Sequence, residues 1–130
     1  MPDNISLLSL EDILQLHEMV LEHSGGLNGV RDLGLLESAI GAVVAEFDNV
    51  ALHRTLYMKA AAYAYHIAQN QPFFDGNKRT GLLAALVFLD INGVIVDDPN
   101  EQLYFAMIAI AQREMSKEGF AKLLSELTVI

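Results

Sequence analysis

Residues 69–80 read QNQPFFDGNKRT, and this stretch punctuates the chain on both sides. A residue before proline avoids the helical region, so a helix arriving from upstream ends ahead of Pro72. Gly76 and Asn77 then offer a turn, after which a new helix begins near Asn77. Upstream, Leu52, Leu56, Ala60, Tyr63, Ala64 and Ile67 recur at helical spacing and predict a helix from about Leu52 to Asn70. Its alanines allow close approach of neighbours. Downstream, LLAALVFL at 82–89 is apolar on every side. That pattern predicts the buried hub of the fold, stopped by Asn92-Gly93.

The remaining segments follow the same period. Ser9-Leu10-Glu11-Asp12 reads as a capping box. Leu10, Ile13, Leu14, His17, Val20 and Leu21 form the stripe of a first helix, which SGGLNG at 24–29 breaks. A second helix is expected over about Asp32 to Phe47, with Leu35, Leu36, Ala39, Val43 and Phe47 inward. VIV at 94–96 suits one short extended piece. Asp98-Pro99-Asn100-Glu101 places a cap, a first-turn proline and an acid in order ahead of Leu103, Ala106, Met107 and Ile110. A last helix starts near Ser116, with Phe120, Leu123, Leu124 and Leu127 as its stripe. The expected fold is all-α: about six helices in a single compact domain, 1–130, around a buried central helix.

Composition sets bounds on function. The chain has 130 residues, 52% apolar and 19% charged, which suits a globular domain. It has no cysteine, which fits a reducing compartment such as the cytoplasm. Nothing at its start resembles a secretory signal. The apolar run from Gly81 to Leu89 falls short of the ~20 residues that span a bilayer. The net charge of −9 argues against direct nucleic-acid binding, which needs clustered cations. The one adjacent basic pair is Lys78-Arg79, within the opening stretch.

That pair beside Gly76, at a helix start, points to an anion site. The first amides of a helix have no partner inside it and lie at the positive end of its dipole. A phosphate placed there would meet the N–H groups around Gly76, Asn77, Lys78 and Arg79. Lys78 adds a mobile charge, and Arg79 a two-pronged grip. Asp75 suits a magnesium ion bridging phosphates. Phe73 or Phe74 would anchor the loop in the core. The structural alternative has Asp75 as a helix cap and Asn77 as a turn residue. It explains each residue singly and the combination poorly.

QPFFDGNKRTG resembles the core motif of the Fic/Doc family, His-Pro-Phe-x-Asp/Glu-Gly-Asn-x-Arg. The lysine after the asparagine is similar to the Doc (death-on-curing) branch; Fic AMP-transferases usually carry glycine there. GGLNGVRDLGLLESAI at 25–40, KAAAYAYHIAQN at 59–70 and LVFLDINGV at 86–94 extend the likeness. The resemblance implies an all-helical fold and phosphoryl transfer from ATP to elongation factor Tu, halting translation. It also implies a Phd-like antitoxin that folds against the toxin. By the same resemblance Phe73 anchors the loop, Asp75 holds magnesium, Gly76 and Asn77 build the phosphate nest, and Lys78 and Arg79 contact phosphate oxygens. An AMP-transferase and an inactive nucleotide- or partner-binding module remain as alternatives.

The family histidine falls at Gln71. A glutamine amide orients a hydroxyl but has no usable basic lone pair, and loss of a general base costs ~10²–10⁴-fold. Three readings of position 71 follow: an inactivating change, a native pseudoenzyme, or chemistry that needs no histidine. His66, five residues upstream, should sit about 7 Å away and around the helix axis, too far to replace it. His17 is expected under the glycine loop, and His23 and His53 at the surface or in turns. No histidine spacing suggests zinc.

Overall fold

The computed structural model describes residues 4–130. Six helices carry the fold: α1 (Leu10–Ser24), α2 (Leu33–Val43), α3 (Leu56–Asn70), α4 (Asn77–Ile91), α5 (Gln102–Ala111) and α6 (Lys117–Glu126). Between α2 and α3 lies a small antiparallel hairpin, β1 (Glu46–Phe47) and β2 (Val50–Ala51). The architecture is the all-α one that the periodicity predicts.

Five helices start where a side chain meets their first-turn amides, four of them from the residue at the N-cap. Ser9 and Asp12 form the expected capping box of α1, Asp32 caps α2, Thr55 caps α3 and Ser116 caps α6. The α5 boundary differs from the sequence reading. Helical residues begin at Gln102, and Glu101 sits at φ 55° ahead of them. Asp98 still caps the helix, but at longer reach. Its two carboxylate oxygens accept from the Gln102 and Leu103 amides at 2.9 and 2.7 Å.

Two other boundaries move for one reason. The second helix stops at Val43 and not at Phe47, and the third starts at Leu56 and not at Leu52. Asp48 and Asn49 adopt φ 53° and 64° and turn the intervening chain back on itself. Two central residues with positive φ are what a tight two-residue hairpin requires, and Asp and Asn tolerate them. Leu52, expected on the core stripe, is 57% exposed. The extended piece at 94–96 does form: Val96 bridges Thr128, and the Ile95 amide donates to the Ile130 carbonyl at 2.9 Å.

The central helix is α3, not α4. It packs against α2, α4, α5 and α6, whereas α4 meets α1, α3 and α5. Ala60, Ala61, Ala62, Tyr63, Ala64, Ile67 and Ala68 are all buried, while Leu82, Leu83, Leu86 and Val87 of α4 are only partly so. Small side chains explain the exchange: alanine permits contact on every face, which bulkier residues cannot do at the same separation. At the α3–α4 seam a Cβ on Gly81 would lie 2.9 Å from the Ala64 carbonyl oxygen. No helix among the described residues is long and apolar enough to cross a membrane.

Candidate functional site at the α3–α4 turn

Helix α3 ends with Gln71 in the left-handed region, φ 48° and ψ 57°. Its last carbonyls face a cation that the sequence reading did not single out. Arg31 donates from Nε to the Gln71 carbonyl at 2.8 Å and from Nη2 to the Asn70 carbonyl at 3.0 Å, complementing the negative end of the α3 dipole. Arg31 lies 40 residues from Gln71 in the chain, so no local pattern marks it. Only its place in the quoted 25–40 segment gave a signal.

The turn is tied down residue by residue. The Pro72 carbonyl accepts from the Arg31 and Asp32 amides, and Phe73 bridges Val30. The Phe73 side chain is buried, stacked on the imidazole of His17. The Asn77 side chain closes a ring with residue 73, accepting from the Phe73 amide at 2.9 Å and donating to the Phe73 carbonyl at 3.0 Å. Its amide group is therefore held in the turn by both its oxygen and its nitrogen, while its backbone N–H stays open at the helix start.

Asp75 does not cap α4. Its Oδ2 accepts from the Leu27 amide at 2.6 Å, and its carbonyl faces Nε2 of His17 at 2.8 Å. Gly76 occupies the N-cap position at φ 81°, and no side chain bonds the first turn of α4. Among the described residues, α4 is thus the helix whose first-turn amides no side chain meets. A Cβ on Gly76 would lie 3.3 Å from Val20 Cγ1 and 3.6 Å from His17 Cδ2. Glycine is required here by the left-handed backbone and by the packing of α1; the room it leaves is on the α1 side.

Gln71, Phe74, Asp75, Gly76, Asn77 and Lys78 line a polar cleft of about 220 Å³ in front of α4. Arg79 stands apart from it. Its Nη1 donates to Ser24 Oγ at 3.2 Å, and it edges two neighbouring hollows beside α1 and α5. No group of three His, Asp or Glu side chains able to hold a metal ion occurs among the described residues, so a cation at Asp75 would need further oxygens from a ligand.

The histidines sort as follows. His17 is buried, as its place on the α1 stripe predicts, but what covers it is the α3–α4 turn: its ring stacks on Phe73 and its Nε2 meets the Asp75 carbonyl. His53 is not a surface residue: it is 3% exposed, because Lys117 and α3 enclose it. His66 is engaged elsewhere, with Lys117. Its Nε2 and that of His53 each lie 3.0 Å from Lys117 Nζ. Burial, then the Lys117 charge, then His53 lower the His66 pKa to about 4, which keeps it neutral and able to accept from the ammonium.

The Fic/DOC family model matches residues 7–89, and the chain belongs to that family. Two relatives are Doc proteins. The chain is 35% identical over 122 residues to "Protein kinase doc" of Escherichia phage P1, covering 92% of this chain and 94% of that one. It is 41% identical over 87 residues to "Toxin Doc" of Mycolicibacterium smegmatis, covering 67% of this chain and 65% of that one.

Proposed function

We propose that this protein is a Doc-like toxin of a toxin–antitoxin pair, built as an ATP-dependent phosphotransferase that acts on a Ser or Thr hydroxyl in the cytoplasm. The observation that carries the proposal is the uncapped start of α4 opening into a polar cleft beside Lys78 and Asp75. At about 220 Å³ the cleft is smaller than the roughly 300–1,000 Å³ of pockets that enclose whole ligands. It suits the phosphate end of a nucleotide, with the base outside.

In this reading the amides of Asn77, Lys78 and Arg79 meet phosphate oxygens, and the Lys78 ammonium neutralises their charge. Arg79 approaches from the α1 side after leaving Ser24. Asp75 holds magnesium, which when bound offsets charge on the transferred phosphoryl group. Phe73 and Asn77 keep the turn rigid. Gln71 lines the cleft where the family motif has histidine. Its Oε1 accepts from an incoming hydroxyl and orients it, but takes no proton. Phosphoryl transfer depends mostly on positioning and charge stabilisation, so the scaffold remains suited to it at a rate lowered by ~10²–10⁴-fold.

The proposed protein substrate is elongation factor Tu, and the proposed partner a Phd-like antitoxin. The test is incubation of the protein and its Gln71→His variant with γ-labelled ATP, magnesium and elongation factor Tu. Label on the factor, faster with the variant, is expected. No label from either protein overturns the kinase reading, and an AMP adduct replaces it with nucleotidyl transfer. Gln71 itself favours a second reading, a module that binds without catalysis. Calorimetric heat with ATP and no turnover by the Gln71 form would select it.

A further inference from the structure

Asp75 is gripped at two atoms by elements distant in sequence. Its carbonyl oxygen lies 2.8 Å from Nε2 of His17 on α1. A carbonyl only accepts, so Nε2 carries the hydrogen. Its Oδ2 accepts from the Leu27 amide at 2.6 Å. Both grips are backed by packing. The His17 ring lies parallel to that of Phe73, with 3.7 Å between centroids. Gly26 sits at φ 123°, where a Cβ would come within 3.2 Å of Asp75 Cβ and 3.1 Å of Leu21 Cδ2.

We infer that His17 and the Gly26–Leu27 peptide are positioning groups that hold the Asp75 carboxylate with Oδ2 occupied and Oδ1 turned to the cleft as the oxygen offered to a divalent cation. The two oxygens are made unequal: one is spent on a backbone amide, and the other accepts from no described residue. A carboxylate fixed this way presents one oxygen in one direction, the role that outer partners of metal-binding groups commonly play. Gly26 is then required because any side chain there displaces the carboxylate it helps to aim. This inference rests on the reading of Asp75 as the magnesium-binding residue.

The experiment measures ATP affinity by calorimetry with magnesium and with EDTA, in the full chain and in Gly26→Ala, His17→Phe, His17→Gln and Asp75→Asn. The phenylalanine keeps a ring on Phe73 but has no donor, whereas the glutamine restores an N–H at similar reach. Expected is loss of the magnesium-dependent part of affinity by roughly 10–100-fold in Gly26→Ala and His17→Phe, as in Asp75→Asn. Affinity in EDTA should be unchanged in Gly26→Ala and His17→Phe, whereas Asp75→Asn, which removes a negative charge beside the phosphates, should raise it; His17→Gln should recover most of the loss. Magnesium-dependent affinity intact in Gly26→Ala and His17→Phe but lost in Asp75→Asn overturns the inference. If the wild-type chain shows no magnesium effect, the reading of Asp75 as a metal-binding residue fails. The grip itself is then judged by NMR: the Leu27 amide proton, 2.6 Å N to O from a carboxylate oxygen, should lie well downfield in the unaltered chain and move upfield in Asp75→Asn. A Leu27 amide resonance that Asp75→Asn leaves in place overturns the grip as well.

Discussion

The imidazole of His17 and the ring of Phe73 lie parallel, with centroids 3.7 Å apart and planes within 6°. One comes from the middle of α1 and the other from the turn between α3 and α4. Both are buried, so this contact fastens the cleft-bearing loop to the first helix. Phe73→Ala removes the stack and empties a core position. The expected destabilisation is about 3–5 kcal/mol, read from the midpoint of urea unfolding. A loss below about 1 kcal/mol, the scale of a tolerated volume-conserving core swap, would mean that the loop is held by its hydrogen bonds alone.

Two helical glycines should respond to alanine with opposite sign. At Gly81 a Cβ would lie 2.9 Å from the Ala64 carbonyl oxygen and 3.3 Å from Ala64 Cα, both backbone atoms that cannot step aside. Gly81→Ala should force α3 and α4 apart and cost about 1–3 kcal/mol. At Gly41 nothing lies within 4 Å, and helix propensity then decides. Gly41→Ala should stabilise by about 0.5–1 kcal/mol. Thermal unfolding of the two variants side by side checks the pair. Equal effects would sink the claim that the α3–α4 seam sets the tolerance.

Much of the site was legible because local chemistry fixes it. Pro72 ends α3, Gly76 and Asn77 start α4, and Asn92-Gly93 stops it, each through backbone rules that act within a few residues. The amphipathic stripe of α1 placed His17 inward. What escaped depends on long-range partners. Arg31 reaches Gln71 across 40 positions, and the Asp75 carboxylate is met by Leu27 across 48. The burial of His53 depends on Lys117, 64 residues away. Hydropathy also favoured LLAALVFL as the hub over the alanines of α3, since periodicity weighs apolar bulk and not how closely a small face lets neighbours approach.

The cluster of His53, His66 and Lys117 predicts acid sensitivity. Burial and the neighbouring ammonium lower the His66 pKa from 6.5 to about 4, and His53 is lowered by the same two causes. Between those values the unfolded chain binds protons that the folded chain refuses, so stability rises with pH. This contribution is complete above the unfolded value near 6.5 and is lost as pH falls toward 4. The unfolding midpoint should drop between pH 7 and pH 5, and His66→Asn should flatten part of that slope. In Lys117→Met the ammonium is gone and the His66 pKa should move up. Titration of the His66 Hε1 resonance reads this directly, and an unmoved pKa would deny Lys117 its part.

Adjacent cations on one helix start should differ in their effect on nucleotide binding, because the helix turns between them. Lys78 lines the cleft with Gln71, Asp75 and Gly76, whereas Arg79 lies around the axis, bonded to Ser24 Oγ at 3.2 Å. A charge-assisted hydrogen bond contributes about 1.5–3 kcal/mol, so Lys78→Met should weaken ATP binding by roughly tenfold or more. The loss should shrink as salt is raised, since the cleft is open to solvent and its charges are screened. Arg79→Met should cost less, because its guanidinium must first leave Ser24 to reach a phosphate. Ser24→Ala frees that guanidinium and should leave ATP affinity equal to or slightly above that of the unaltered chain. Calorimetry at two ionic strengths separates these cases. If Arg79→Met proves as damaging as Lys78→Met, the nucleotide occupies the hollow that Lys78, Arg79 and Tyr104 line together as well as the cleft.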